Sequence, residues 1–370
     1  MDDTIYMKRA FDLAKKGEGN TSPNPMVGTV IVKDGQIIGE GYHKKYGGKH
    51  AEIMAIDTAS LPVEGATLYC NLEPCTANIP DKKTPPCSQR IIEEKIRKVV
   101  IANLDPNPFV NGRGVKLLRD HNIQVDTGIL RETGSRLNEK YFTLQRIGRP
   151  FIHLKIAQSL DGRIATVAGK SKWITNENAL NIVHRMRAEY DAILVGINTI
   201  LQDNPSLNVR RVTGKNPYRI ILDDDLAIPV NANIFKLNDP EKTIIFTSKS
   251  NDDKKFQQLS KKGIQLVSMR SNEKKYLDLN SIMAFLTQLK ISSVLVEGGG
   301  EVFTSFIKNR LFDKVSFFIA PMMIGSGIQS IGDLGIESLE KAFRLQEVTI
   351  EIVDQQALVE GYRDFQQIIV

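Results

Sequence analysis

Three short motifs decide how the first half of the chain folds: His50-Ala51-Glu52, Glu73-Pro74-Cys75 and Pro86-Cys87. One imidazole and two thiolates give three protein ligands, which suits a zinc ion that keeps its fourth tetrahedral position open for water. A structural zinc site is closed by four protein ligands, whereas a catalytic site needs the open position. These motifs therefore predict a catalytic zinc site. Its predicted ligands are His50, Cys75 and Cys87.

The spacing of these residues indicates a class of reaction. A His-x-Glu motif followed by Pro-Cys and a second cysteine is typical of zinc deaminases, which replace an exocyclic amine with oxygen. Glu52 lies two residues after His50. We predict that Glu52 is catalytic and moves protons between water and the departing ammonia. Eleven residues separate the two cysteines, many more than in the common Pro-Cys-x-x-Cys signature, and this spacer points to a distinct substrate.

Alternating strands and helices surround these motifs. Helical periodicity and short apolar runs between turn residues predict a layered α/β domain. Both ligand-bearing segments then begin helices, where the helix dipole helps to stabilise thiolates. Predicted strands lie near residues 27–32, 36–41, 66–72, 99–101 and 123–125, and predicted helices near 4–16, 51–59, 88–94 and 115–119.

The pattern breaks around Arg146-Ile147-Gly148-Arg149-Pro150, and a second α/β alternation begins at Phe151. A length of 370 residues also favours two domains. We therefore predict a first domain of residues 1–147 and a second of residues 148–370. In the second domain, strands are predicted near 152–156, 192–196, 219–223, 243–247, 294–297 and 315–320, helices near 176–188 and 282–289, and a closing antiparallel pair at 347–353 and 362–370.

The bulk composition excludes several classes of protein. Three cysteines, two of them assigned to zinc, exclude a disulfide framework. The sequence has no apolar run of membrane-spanning length and no secretory signal, so we expect a cytoplasmic protein without a membrane partner. The net charge of +6 divides evenly between the two halves, and such a balance suits phosphorylated small molecules.

Further motifs carry a resemblance to a known family. Three motifs accompany the zinc motifs: Pro23-Asn24-Pro25-Met26-Val27-Gly28, Gly41-Tyr42-His43 and Lys83-Thr84-Pro85-Pro86-Cys87. In this order they resemble the bifunctional deaminase/reductases of riboflavin biosynthesis, and so do the motifs of the second half. The latter lie at residues 155–163, 171–175, 184–188, 191–196, 202–207 and 296–301.

The resemblance implies a fold, two reactions and two cofactors. The fold would be a cytidine-deaminase-like three-layer α/β/α domain followed by a dihydrofolate-reductase-like α/β domain. The first would bind one Zn²⁺ and deaminate 2,5-diamino-6-(ribosylamino)-4(3H)-pyrimidinone 5′-phosphate. The second would use NADPH to reduce 5-amino-6-(5-phosphoribosylamino)uracil to the ribitylamino product. Phosphorylated pyrimidines are then the expected partners, in a homo-oligomer that binds no nucleic acid.

The same resemblance assigns site residues. Arg187 and Arg210 suit a ribose phosphate, because guanidinium binds phosphate through paired hydrogen bonds. Lys155 and Asp203 are candidates for positioning or proton transfer. Cofactor contacts are predicted at Ala157, Trp173, Thr199, Asp203, Gly298, Gly299 and Gly300. Substrate contacts are predicted at Asn24, His43, Lys83, Lys155, Ser171, Arg187, Leu207, Arg210 and Glu297.

One departure and two alternatives accompany this interpretation. Between its cysteines the family has a shorter spacer with a Ser-His pair, whereas this chain reads Thr76-Ala77-Asn78 after Cys75. We expect zinc binding to survive, because lengthening a loop costs little entropy, and the difference to fall on substrate contacts. From sequence alone, the chain could instead be a nucleic-acid-editing deaminase with a binding module, or one half could be a non-catalytic scaffold.

Overall fold

A five-stranded sheet lies at the centre of the first of two structural units. The structure, a computed structural model, describes residues 2–76, 86–171, 174–269 and 277–369. Residues 1–148 and 366–370 make up the first unit, and residues 149–365 the second. The first sheet has the order β2-β1-β3-β4-β5, with β1 antiparallel to both neighbours and the other pairs parallel. Its strands are β1 (Gly28–Lys33), β2 (Gln36–Tyr42), β3 (Thr67–Leu72), β4 (Lys98–Asn103) and β5 (Gln124–Thr127).

Helices cover both faces of this sheet. Because side chains alternate along a strand, Ile31 packs on one face with Ile56 and Leu118, and Val30 packs on the other with Met7. This arrangement is the three-layer α/β/α fold that the resemblance implied. The helices are α1 (Asp3–Lys15), α2 (Ala51–Asp57), α3 (Cys87–Glu93), α4 (Arg113–Asp120), α5 (Arg131–Leu137) and α6 (Glu139–Ile147).

The second unit is built on a nine-stranded sheet. Its strand order is β11-β10-β9-β8-β12-β6-β13-β16-β15, and β7 and β14 form a separate pair. In this order, the strands from β11 to β13 are all parallel to one another. Strand β16 is antiparallel to β13, and β15 is antiparallel to β16. The bounds are β6 (Phe151–Ser159), β7 (Arg163–Thr166), β8 (Ala192–Gly196), β9 (Tyr218–Leu222), β10 (Thr243–Thr247), β11 (Gln265–Ser268), β12 (Ser293–Gly298), β13 (Lys314–Ala320), β14 (Gly327–Gln329), β15 (Gln346–Val353) and β16 (Gln356–Tyr362).

Two layers of helices bury the parallel part of this sheet. Every residue of β8 and β10 is buried, as expected for parallel strands covered on both faces. Ile282 and Phe306 pack on one face, and Ile200 and Leu259 on the other. Within the described residues, no helix has the length and apolar character needed to cross a membrane. The remaining helices are α7 (Glu177–Glu189), α8 (Ile197–Asp203), α9 (Lys254–Ser260), α10 (Leu279–Gln288), α11 (Gly300–Lys308) and α12 (Gln366–Ile369).

The end of the chain differs from the sequence-based expectation. Strand β15 pairs with β16 at residues 356–362, not with residues 362–370. Asp354 and Gln355 both have positive φ, 48° and 68°, and form the two-residue turn of a tight hairpin, so the partner strand begins at once. The predicted second domain also ran to residue 370, whereas residues 366–370 group with the first unit because α12 packs against α5 and α6.

Close backbone contact between β1 and α1 generates a stability prediction. A Cβ atom added to Gly28 would lie 2.0 Å from the Ala10 carbonyl oxygen and 2.6 Å from the Ala14 nitrogen. We expect Gly28→Ala to lower the free energy of unfolding of the first unit by about 3 kcal/mol. The control is Gly65→Ala, which adds a Cβ with nothing within 4 Å at a φ of +76° and should cost about 1 kcal/mol. Differential scanning calorimetry of both variants measures this, and equal losses would contradict it.

Candidate active sites

The three predicted zinc ligands come together in the first unit. His50 is the N-cap residue of α2, Cys87 is the first residue of α3, and Cys75 follows β3. The Nδ1 atom of His50 lies 3.4 Å from Sγ of Cys75 and 3.3 Å from Sγ of Cys87, and all three ligand atoms lie within 4.8 Å of one another. Tetrahedral zinc holds N and S ligand atoms about 3.6 Å apart. The arrangement therefore fits one zinc ion.

The environment of the thiols favours the form that binds metal. Cys75 and Cys87 are both buried. The hydrogen bond with Cys87 and the neighbouring His50 hold the pKa of the Cys75 thiol well below its usual range, although burial opposes the shift. Since the thiolate is the form that binds metal, the lowered pKa of Cys75 favours zinc binding.

Glu52 lies buried beside these ligands. Only 3% of its surface is exposed, and burial raises the pKa of its carboxyl group. Its Oε2 atom is buried and has no hydrogen-bond partner in the part of the chain that the structure describes. An unsatisfied buried oxygen is costly, so this atom fits a site that takes a metal ion and a proton-donating group. The residues present thus fit zinc.

Glu73 is a buried anchor that sequence reasoning missed. Its carboxylate accepts hydrogen bonds from the backbone N–H groups of Asp105, Gly112 and Val115, at 3.2, 2.9 and 3.1 Å. Burial raises the pKa of Glu73, although these bonds oppose the shift. Because Glu73 lies two residues before Cys75, it fixes the segment of residues 105–115, which leads into α4, beside a zinc ligand. Its partners are 32 to 42 residues away, and no local pattern marks them.

Two predicted substrate contacts also lie near the zinc ligands. The ring of His43 packs edge-on against that of His50, with centroids 5.5 Å apart. The Nδ1 atom of His43 donates to the Lys49 carbonyl oxygen at 3.0 Å. Its Nε2 atom lies 3.2 Å from Nδ2 of Asn24. The third predicted contact, Lys83, lies outside the described residues.

In the second unit, the predicted cofactor contacts gather at the carboxyl ends of parallel strands. From β8 to β11 each new strand is added at the outer edge of the sheet, whereas β12 lies between β8 and β6. The strand order therefore reverses at this point, and ligands of α/β sheets bind at such a reversal. A Cβ atom at Gly298 would lie 2.5 Å from Oγ1 of Thr199, so the glycine turn lies against α8. Gly299 has a φ of +85° and caps α11 without a side-chain hydrogen bond, which leaves helix N–H groups for a phosphate.

The other predicted cofactor contacts are distributed around this turn. Ala157 lies on β6, which pairs with β12. Asp203 ends α8 and accepts a hydrogen bond from Oγ of Ser171 at 2.9 Å. Trp173 lies outside the described residues. A glycine cradle beside an uncapped helix start fits the phosphates of a dinucleotide cofactor.

Three predicted substrate residues form a buried charged cluster. Arg187 makes a bidentate ion pair with Glu297, at 2.6 and 2.8 Å, and Nζ of Lys155 lies 3.5 Å from Glu297 Oε2. Burial opposes ionisation of Glu297, but the charges of Arg187 and Lys155 hold its pKa at about 2. Burial lowers the pKa of Lys155. The cluster thus holds one carboxylate and two cations, and Arg187 is already paired.

Arg210 has different surroundings, which involve a histidine to which sequence reasoning assigned no role. Its backbone N–H donates to Nδ1 of His184 at 3.3 Å, and its Nη1 donates to Oδ1 of Asn208 at 3.1 Å. Leu207, in the same loop, is buried and has a φ of 51°. Burial, assisted by the charges of Arg187 and Arg210, lowers the pKa of His184 to about 4.

Comparison with known proteins assigns the chain to a family. The RibD C-terminal domain matches residues 150–359, and the cytidine and deoxycytidylate deaminase zinc-binding region matches residues 1–103. Riboflavin biosynthesis protein RibD of Aquifex aeolicus is 44% identical, over 96% of this chain and 97% of the relative. The Escherichia coli protein of that name is 35% identical, over 94% and 96%. The chain belongs to the RibD family.

Solved structures of the family share the whole fold. Acinetobacter baumannii RibD superposes with a TM-score of 0.87 at 34% identity, and a deaminase/reductase from Thermotoga maritima with 0.86 at 40%; each match covers 97% of this chain and 98% of the other. The predicted family, fold class and cofactors, Zn²⁺ and NADPH, are confirmed. The second half is a RibD reductase domain. The assignments of individual site residues stay predictions.

The lowered pKa of His184 generates a pH prediction. A histidine with a depressed pKa contributes stability above its unfolded pKa of 6.5, and this contribution is lost as pH falls towards the folded value of about 4. The difference in unfolding free energy between the unmodified protein and His184→Gln should therefore shrink by roughly 3 kcal/mol between pH 7 and pH 4. Urea unfolding followed by far-UV circular dichroism measures this. The exposed His121 supplies the control variant His121→Gln, and a constant difference for His184 would refute the prediction.

Proposed function

We propose that this chain catalyses two consecutive steps of riboflavin biosynthesis. The first unit hydrolyses the 2-amino group of 2,5-diamino-6-(ribosylamino)-4(3H)-pyrimidinone 5′-phosphate and releases ammonia. The second unit reduces 5-amino-6-(5-phosphoribosylamino)uracil to its ribitylamino product. The observation that carries the proposal is the convergence of His50, Cys75 and Cys87 beside the unpartnered oxygen of Glu52. The Thermotoga maritima relative is described as a deaminase and reductase of these compounds.

In the deaminase unit, the proposed roles follow from position and burial. His50, Cys75 and Cys87 would hold the zinc ion, which when bound would supply an activated water by lowering the pKa of that water. Glu52 is not a ligand; it takes a proton from the attacking water and delivers it to the amine, which leaves as ammonia. Because burial raises the pKa of Glu52, the carboxyl group holds this proton readily between the two transfers. We assign substrate binding to Asn24, His43 and Lys83.

In the reductase unit, the glycine turn and the charged cluster divide the work. We assign NADPH, which supplies the hydride, to Ala157, Trp173, Thr199, Asp203 and the glycines at 298–300. Since Glu297 already pairs with Arg187, we assign the ribose phosphate to Arg210, whose guanidinium, among the described residues, hydrogen-bonds the Asn208 amide oxygen alone. Because the pKa of Lys155 is lowered, we assign the donation of a proton to the sugar oxygen to Lys155 rather than to Asp203. Ser171, Leu207 and Glu297 complete the substrate contacts.

We also propose that the protein is a homo-oligomer that works in the cytoplasm, where its proposed substrates and NADPH are made. Val348, Ile350 and Ile352 follow at every second position of β15 and are 50%, 70% and 69% exposed. Strand β15 is the edge of the nine-stranded sheet. Exposed apolar edge strands favour pairing with another chain, and a two-fold axis would place the same patch on both copies.

The first experiment separates the two activities. Glu52→Gln should abolish ammonia release from the diaminopyrimidinone, a loss of at least about a hundredfold, because the amide cannot carry the proton. The same protein should bind zinc normally and oxidise NADPH at an unchanged rate when it is given the deaminated intermediate. Ammonia, zinc content and NADPH absorbance measure the three quantities. Ammonia release at the unmodified rate would exclude the role of Glu52, and loss of both activities in a folded protein would exclude independent sites.

The second experiment tests oligomerisation. Replacing Ile350 and Ile352 together with lysine should convert the oligomer to monomers, because two charged side chains cannot be buried unpaired in an interface. Sedimentation velocity measures the mass. The control replaces Val167, which is 76% exposed outside β15, with lysine and should leave the mass unchanged. A monomeric unmodified protein would end this proposal while leaving the enzymatic one intact.

A further inference from the structure

Both ring nitrogens of His43 are engaged within the protein. Nδ1 lies 3.0 Å from the Lys49 carbonyl oxygen, which can only accept, so Nδ1 carries a hydrogen. Nε2 lies 3.2 Å from Nδ2 of Asn24, which can only donate, so Nε2 is the acceptor. The two contacts together specify one tautomer of His43 and one orientation of the Asn24 amide.

The backbone around these two side chains is fixed. The N–H of His43 donates to the Val27 carbonyl at 2.8 Å, and that of Asn24 donates to the Thr21 carbonyl at 2.9 Å. Two residues beyond Asn24, the backbone of Met26 donates to and accepts from the side-chain amide of Asn138, at 2.8 and 2.9 Å. His43 cannot turn towards a ligand without breaking both of its ring contacts, and only 3% of its surface is exposed.

The Asn24 amide keeps one group for a ligand. Its Nδ2 is directed to His43, and its Oδ1 makes no hydrogen bond with residues 2–76 or with the other described parts of the chain. Asn24 is only partly buried, so a ligand can reach this oxygen. If the amide were reversed, it would present N–H groups and select for an acceptor.

We infer that His43 is a positioning residue that orients the Asn24 amide, so that Asn24 Oδ1 accepts a hydrogen bond from an N–H group of the substrate. The inference rests on the proposed deaminase function and changes the expected role of His43, from substrate contact to support of that contact. A diaminopyrimidinone offers ring N–H and amino donors. A pyrimidine with only an unprotonated ring nitrogen at that edge would meet an acceptor and bind poorly.

A double-mutant cycle distinguishes support from direct contact. His43→Leu, Asn24→Leu and the double variant are assayed for ammonia release from the diaminopyrimidinone phosphate, with KM, kcat and zinc content determined for each. We expect each single variant to raise KM about tenfold and the double variant to match Asn24→Leu, since without the amide there is nothing to orient. A double variant with multiplied losses, about a hundredfold, would mean that His43 contacts the substrate itself and would overturn the inference.

A second measurement does not depend on the variants retaining zinc. In the zinc-loaded full-length protein labelled with ¹⁵N-histidine, the His43 ring should show a protonated Nδ1 and a bare Nε2, with the signal assigned by its absence from His43→Leu. An Nε2–H tautomer or an imidazolium would reverse the amide and refute the inference. The reductase rate of each variant serves as the folding control. An unmodified protein that releases no ammonia would instead remove the proposed function, and the NMR result would still report the hydrogen-bond arrangement.

Discussion

The first unit must keep two thiols and a carboxylate buried beside an imidazole, and much of its structure follows from this requirement. Ionised groups are stable away from water only when partners compensate for their lost hydration. Glu73 meets the requirement with three backbone N–H groups, and the thiols meet it through His50 and each other. Glu52, beside the thiols, keeps a buried oxygen, Oε2, with no hydrogen-bond partner in the part of the chain that the structure describes, and this is the atom that we propose for chemistry.

In the second unit, a buried carboxylate is compensated by cationic side chains. Glu297 is buried at the end of β12, and Arg187 from α7 and Lys155 from β6 pair with it. These elements meet where the strand order reverses, so the cluster lies where the fold places ligands. Arg187 is therefore paired within the cluster, whereas Arg210 donates from its backbone to His184 and from its guanidinium to the Asn208 side chain, outside any ion pair with Glu297. The sequence alone predicts the same role, binding of the ribose phosphate, for Arg187 and Arg210.

The predictable features are those encoded within a few neighbouring residues. His50, Glu52, Cys75 and Cys87 could be identified because each lies in a short motif next to a strand or at a helix start. The strands could be placed because buried parallel strands are apolar runs. The contacts of Glu73 and the contact of His184 with Arg210 could not be predicted, because they join segments that are distant in sequence. The last hairpin could not be recognised because Gln355 stands at the second turn position, where glycine usually follows aspartate or asparagine.

The long spacer between the cysteines is compatible with zinc because its two ends are fixed independently. Cys75 is fixed by the end of β3 and by Glu73, and Cys87 by the start of α3. Ser88 then joins the ends, since its N–H and its hydroxyl both donate to the Cys75 carbonyl, at 3.2 and 3.0 Å. Extra residues in the loop so closed add only a small entropic cost, and we expect the ligand atoms to keep their positions. We therefore expect a change in spacer length to alter substrate contacts rather than zinc binding.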